Sequence, residues 1–335
     1  MYYPRGGDGS LAPVVLELRE HSAEIVADGT PATFEPRRSG HAKIRTRANQ
    51  EAIVGRIGST YEVTLNNEET PGFVKLEYDL PARLSEMPEN AKVVFLMDRS
   101  RSIDEELLEA QFDVIEGFAS YLPDAHFELV MVDRFASPML GELTAHEEFL
   151  DAVGTLRESG VTLKNGSNLD EGLSMGREIL DDVEGPRFII ALTDDQLRRS
   201  WDTSVHAQST DITTHVVVLD RGFKRDDTHR LSPIALQDGG ILVHTGIHHR
   251  LQVELEHLVR PIRLEYISIT GVDDNIHNLE EGTSYRLFQA FENPIEGALH
   301  AKIWTQPIEV SPHSRPAFDR ATDGRGMLWV WLSPQ

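Results

Sequence analysis

Three short runs constrain this chain more than any other feature: Lys92–Met97 (KVVFLM), Phe188–Leu192 (FIIAL) and Val216–Leu219 (VVVL). Each has the length of a strand and is apolar at nearly every successive position, so both of its faces need cover. Segments of helical period lie between them. After the first run Leu107, Gln111, Val114, Ile115 and Phe118 recur at 3.6 spacing, with one polar lapse at Gln111. The alternation continues through Phe127–Val132 (strand), Glu147–Leu156 and Leu169–Leu180 (helices), Arg187–Leu192, Thr213–Leu219 and Ile241–His244 (strands) and Arg250–Leu258 (helix). Buried strands alternating with helices predict a doubly wound α/β domain over 84–260, its largely parallel sheet covered on both sides.

The flanks read differently. Residues 1–83 and 261–335 are punctuated by Gly, Pro and Asn. They carry short β-rich runs: Val14–Leu18, Ala42–Arg47, Tyr61–Leu65 and Phe73–Tyr78 before the α/β domain; Arg263–Ile269, Ser284–Phe291, Leu299–Thr305 and Met327–Leu332 after it. Asp273-Asp274-Asn275 and Asp323-Gly324 are the expected turns between the later runs. Three segments result: an N-terminal β-rich segment 1–83, the α/β domain 84–260 and a C-terminal β-rich segment 261–335. Each flank is long enough for a small sandwich of its own. The preferred arrangement is one discontinuous all-β sandwich with the α/β domain inserted between its strands, because the termini of a sheet domain lie close together.

Charge narrows the choice of partner. Acids outnumber bases 55 to 32, a net charge of -23, and 84–260 alone carries 33 acids against 16 bases. Such a segment repels phosphate backbones and anionic headgroups and attracts cations, which argues against nucleic acid. Cysteine is absent, so disulfides, thiolate metal sites and cysteine nucleophiles are excluded. No stretch approaches the roughly 18 apolar residues of a membrane span, and MYYPRGGDGS lacks the basic start and apolar run of a leader. The expectation is a soluble protein of the cytoplasm, or of a surface if a leader or anchor lies outside this sequence. Arg5-Gly6-Gly7-Asp8-Gly9 has neither the lysine nor the preceding strand of a phosphate-binding loop.

The chemistry gathers at strand ends. Asp98-Arg99-Ser100-Arg101-Ser102 follows the first apolar run, where doubly wound sheets bind ligands. A carboxylate and two hydroxyls spaced two apart on a turn aim three oxygens at one point, a set suited to Mg²⁺, Mn²⁺ or Ca²⁺ rather than zinc. Asn165-Gly166-Ser167-Asn168 supplies a third hydroxyl at Ser167 ahead of a helix, and Thr193-Asp194-Asp195 supplies a second carboxylate at the end of the FIIAL strand. A competing role is helix capping, in which Ser102 pairs with Asp104 or Glu105.

DRSRS at 98–102, GSNLDEGL at 166–173 and LTDD at 192–195 resemble, in order and separation, the three loops of the metal-ion-dependent adhesion site of von Willebrand factor A domains. The resemblance covers roughly 90–260 and implies a Rossmann-like sheet with a divalent cation at its crest. By that likeness Asp98, Ser100 and Ser102 are first-loop ligands and Ser167 is the second-loop hydroxyl. Asp194 is the third-loop carboxylate, acting directly or through water. Two positions depart from the family pattern. Ser167 stands where threonine is usual, and Asp195 stands where glycine is usual, either adding charge near the cation or facing solvent. The flanking β segments, with the Leu76–Pro81 strand running straight into the α/β domain, resemble those of bacterial proteins that set an inter-alpha-trypsin-inhibitor-type segment beside such a domain.

This reading implies a cation-dependent protein-binding module whose partner supplies an Asp or Glu carboxylate. Von Willebrand A domains also accompany ring ATPases, so an adaptor or regulatory subunit of such a machine is the alternative. A metal-dependent hydrolase is the third reading, and it lacks a base: His206, His215 and Asp195 are candidates without a supporting spacing. His248, His249 and His257 read as a surface or interface group. Trp304, Trp329 and Trp331 read as β packing, and Arg198, Arg199 and Trp201 as residues that steer an acidic partner or offset local charge.

Overall fold

The computed structural model describes residues 24–27, 30–33, 39–45, 52–57, 64–65, 68–69, 73–196, 211–219, 224–245, 251–290 and 296–314. These divide into two compact units. One comprises 83–265 with 301–308, and the other the described residues of 1–82, 266–300 and 309–314.

The first unit is the doubly wound domain. Its strands are β1 (Lys92–Asp98), β2 (His126–Val132), β3 (Ala136–Pro138), β4 (Arg187–Thr193), β5 (Thr213–Leu219) and β6 (Leu242–Thr245). They stand in the order β3-β2-β1-β4-β5-β6, with short strands Thr144–Ala145 beside β2 and Lys224–Arg225 beside β6. Neighbours among β1, β2, β4, β5 and β6 are parallel, and the edge pairings are antiparallel. The direction of winding reverses between β1 and β4, which creates the crevice where such sheets bind ligands.

Alternation along β1 explains why it is apolar throughout. Val93, Phe95 and Met97 join one buried cluster, and Val94 and Leu96 another. Helices α1 (Glu105–Ala119), α2 (His146–Ser159) and α5 (Leu251–Val259) contribute to the first cluster, where Phe95 meets Phe118 edge-on with ring centroids 5.6 Å apart. Helices α3 (Leu169–Leu180) and α4 (Ser232–Gln237) contribute to the second. Asp104 caps α1 by accepting the Leu107 amide at 2.9 Å, so the cap falls to Asp104 and not to Ser102. The polar lapse at Gln111 is fully buried and purposeful: its Nε2 donates to the Asp98 carbonyl at 2.8 Å, tying α1 to the last residue of β1. Two glycines one turn apart let α3 lie close on the sheet. A Cβ on Gly172 would sit 2.8 Å from Val132 Cγ2, and one on Gly176 would sit 3.2 Å from Ile189 Cδ1.

In the other unit, strands from both flanks share one sheet. Thr283–Ala290 runs antiparallel to both Phe73–Asp79 and Ser39–Arg45, and Val54–Ile57 and His313–Ser314 extend the far side. A four-stranded sheet that is not confined to this unit runs in the order Val272–Glu280, Arg263–Ile269, Leu299–Ile303, Gln306–Val310. The expected turn at Asp273-Asp274-Asn275 is instead part of strand Val272–Glu280. The reversal falls one step earlier, at Thr270-Gly271, where Gly271 takes a φ of 85° that suits glycine. The runs Val14–Leu18 and Met327–Leu332 and the turn Asp323-Gly324 lie outside the described residues. Among the described residues no helix is long and apolar enough to cross a membrane.

Candidate metal centre

The parallel register of β1 and β4 sets Leu192 beside Met97, which brings Asp98 and Thr193 together at adjacent strand ends. Asp98, only 2% exposed, is the hub. Its Oδ1 accepts the Ser100 amide at 2.8 Å, and its Oδ2 accepts the hydroxyls of Ser167 at 3.0 Å and Thr193 at 3.3 Å. Ser100 and Ser102 hold each other through their hydroxyls at 2.9 Å. The second loop is drawn in by backbone bonds: the Lys164 amide donates to the Arg99 carbonyl at 2.8 Å, and the Asn168 amide to the Asp133 carbonyl at 2.7 Å. Gly166 permits that approach with a φ of 94°, its Cβ position 3.4 Å from Arg134 Cα.

Behind the first loop Arg99 is committed elsewhere. Its guanidinium lies 2.6 and 2.7 Å from Asp133 Oδ2, and the Phe135 amide donates to Oδ1 at 3.1 Å. Burial raises the Asp133 carboxyl, but the Phe135 amide, Arg99 and Lys164 outweigh it and hold the group below the usual carboxylate range. Asp98 has no such cationic partner among the described residues. Burial pushes its carboxyl upward, Asp194 pushes it further, and hydrogen bonds from Ser100 and Ser167 only partly oppose them. Asp194 Oδ1 accepts the Gln196 amide at 3.0 Å, whereas its Oδ2 is buried with no hydrogen-bond partner among the described residues. Buried carboxylates are ordinarily paired with a cation or bound to a metal.

The five oxygen-bearing residues singled out in the sequence, Asp98, Ser100, Ser102, Ser167 and Asp194, thus stand at one crest. Thr193 adds a buried hydroxyl on Asp98 that sequence reasoning passed over, although it lies inside the LTDD segment. Asp195 differs from both expectations. It neither faces open solvent nor turns to the crest: Arg230 Nε donates to its Oδ1 at 2.8 Å, and His229 Nε2 lies 3.2 Å from its Oδ2. Its φ of 62° lies in the left-handed region that glycine occupies most readily, and aspartate is among the residues that tolerate that region.

The donors suit a hard divalent cation: all are oxygens, two are carboxylates, and one carboxylate oxygen has no hydrogen-bond partner among the described residues. Among the described residues no three His, Cys, Asp or Glu side chains cluster as a metal site, so any cation at the crest would rest on a mixed carboxylate and hydroxyl set. His257 is no surface residue. It is fully buried, with its Nδ1 accepting the Ile262 amide at 3.3 Å and its Nε2 3.5 Å from Glu265. Trp304 packs edge-on against His215 at 4.9 Å between ring centroids and donates to the His257 carbonyl at 2.8 Å. Arg198, Arg199, Trp201, His206, His248, His249, Trp329 and Trp331 lie outside the described residues.

No known protein family and no curated protein matches the chain by sequence. Its neighbours among solved structures include von Willebrand A-type proteins. A von Willebrand factor type A protein from Catenulispora acidiphila shares 14% identity over 83% of this chain and 77% of its own, with a TM-score of 0.42. The ArnB paralog VWA2 from Sulfolobus acidocaldarius shares 12% over 86% and 79%, at 0.36. Proximal thread matrix protein 1 from the mussel byssus, solved with a zinc-occupied adhesion-site motif, shares 16% over 55% of this chain and 47% of its own, at 0.41.

Proposed function

We propose that the chain is a divalent-cation-dependent protein-binding module, non-enzymatic, that recognises a carboxylate of its partner at the crest of the α/β unit. Asp98, Ser100, Ser102, Ser167 and Asp194 would hold the cation, with Thr193 orienting Asp98. The cation supplies positive charge and an open position that a partner's Asp or Glu can fill. One observation carries the reading: at the reversal point of the sheet, Asp98 and Asp194 stand at the ends of the neighbouring strands β1 and β4, Asp98 with hydroxyl and amide partners and Asp194 Oδ2 with no hydrogen-bond partner among the described residues. Oxygen donors favour Mg²⁺, with Mn²⁺ or Ca²⁺ next.

Binding rather than hydrolysis is supported by where the candidate bases stand. Asp195 is engaged by Arg230 and His229, and His215 is buried within β5, its Nδ1 accepting the Ile241 amide at 3.0 Å. The test is calorimetric titration of the native chain and Asp98→Ala with Mg²⁺, Mn²⁺, Ca²⁺ and Zn²⁺. The native protein is expected to bind at one site and the variant not to. Equal heats from both proteins reject the assignment.

A further inference from the structure

The described arginines of the α/β unit are nearly all neutralised internally. Nine of those described, from Arg83 to Arg263, have a carboxylate oxygen within 3.9 Å. Among the described residues of this unit only Arg101 and Arg134 have none, and both are exposed. In a segment with 33 acids to 16 bases, an arginine that meets no carboxylate is the unusual case.

Both exceptions stand at the loops of the candidate metal centre. Arg101 is the residue between Ser100 and Ser102. Arg134 backs the second loop, its Cα 3.4 Å from the Cβ position of Gly166 and its carbonyl accepting Asn168 Nδ2 at 3.3 Å. Phe135 comes next and is 63% exposed, one of two large apolar side chains so exposed among the described residues. Its backbone is pinned at both ends: its amide donates to Asp133 Oδ1, and its carbonyl accepts the Asp133 amide at 3.0 Å. The turn that carries it is therefore ordered, and its side chain is largely exposed.

We propose that the crest is an interaction surface for an acidic protein segment. Besides the carboxylate offered to the cation, that segment carries at least one further Asp or Glu for Arg101 and Arg134 and an apolar side chain for Phe135. The inference rests on the cation-dependent reading above and adds the chemistry of the partner. Charge complementarity favours a narrow occupant. A membrane or nucleic acid presents anions over a wide area and would meet the surrounding carboxylates, whereas a peptide can confine its charge to the basic rim. Rim charges of this kind set encounter rate and partner choice.

The test is selection of a random dodecapeptide library, displayed on phage, against the full chain in millimolar magnesium, with elution by EDTA. Recovered peptides are expected to carry two or more acids and an aromatic or aliphatic residue. As synthetic peptides they should bind Arg101→Ala/Arg134→Ala about tenfold more weakly and Phe135→Ala several-fold more weakly, and bind Lys92→Ala, at the amino end of β1, like the native chain. Arg101→Lys/Arg134→Lys should recover at least half of the affinity lost in the double alanine variant, and its failure to do so overturns the electrostatic basis. EDTA-eluted peptides with a single acid, bound alike by native and double-alanine proteins, overturn this inference and leave the cation reading standing. Recovery of no EDTA-eluted peptide overturns both. Capture of phosphatidylserine vesicles through the same two arginines, without any acidic peptide, assigns the rim to a lipid surface and rejects the proposal.

Discussion

Asp98 is a buried carboxylate held by an amide and two hydroxyls, with Asp194 close enough to oppose its charge. Burial and Asp194 therefore disfavour its ionised form. Because its folded-state pKa is raised, that penalty is absent in strong acid, sets in as pH rises through the unfolded value and is complete above the folded one. Asp98→Asn keeps an acceptor for the Ser100 amide and removes the charge. Without metal, the Asp98→Asn variant is expected to melt at or above the native temperature at neutral pH. Saturating magnesium, which raises native stability by about 2.7 kcal/mol at a hundredfold excess over Kd, should leave the variant unmoved. Thermal melts with and without magnesium decide it. At this scale the sequence was legible where spacing is local: an aspartate and two serines on one turn declare themselves. Asp195 was not legible, because Arg230 and His229 lie some 35 residues onward and only the folded crest brings them to it.

Elements were legible in proportion to their length. The apolar runs and the 3.6-residue period of α1 and α3 mark buried strands and covering helices, because a two-sided sheet leaves few polar positions. Ala136–Pro138 and Ser232–Gln237 are too short to show a period, and an Asp-Asp-Asn string mimics a turn in a strand whose reversal is made by Gly271. The packing of α3 was also beyond reading, since a glycine inside a helical pattern does not disclose what it touches. Gly172→Ala should push the start of α3, and Ser167 with it, away from β2. The expected results are a loss of about 1–3 kcal/mol and weaker cation binding, measured by urea unfolding and titration. Gly154→Ala in α2 is the control: nothing lies within 4 Å of its Cβ position, so the same substitution should stabilise by about 0.5–1 kcal/mol and leave cation binding alone.

At the scale of the molecule the α/β unit depends on a distant stretch of chain, because residues 301–308 belong to it and deliver Trp304 to His215 and His257. Trp304→Ala should cost about 2 kcal/mol or more, read from denaturant unfolding. His215 gives the unit an acid limit. Burial first, then His257 and Arg225, depress its pKa to about 3, so on acidification the unfolded chain takes up a proton from about pH 6.5 downward that the folded chain refuses. Stability should therefore fall between about pH 6.5 and 3, and His215→Gln should flatten that slope by close to one proton. Glu265 acts lower. Although burial raises it, His257, Arg225 and Arg263 hold it at about 2, so its contribution is present above the unfolded glutamate value and is lost only as pH falls towards 2. The pairing of Phe73–Asp79 with Thr283–Ala290 has a temporal consequence. During synthesis the earlier strand must wait, its edge unpaired, while the intervening chain leaves the ribosome, roughly 10 to 40 s at ordinary elongation rates. Over that interval the nascent polypeptide is most exposed to aggregation through this edge and most in need of a chaperone.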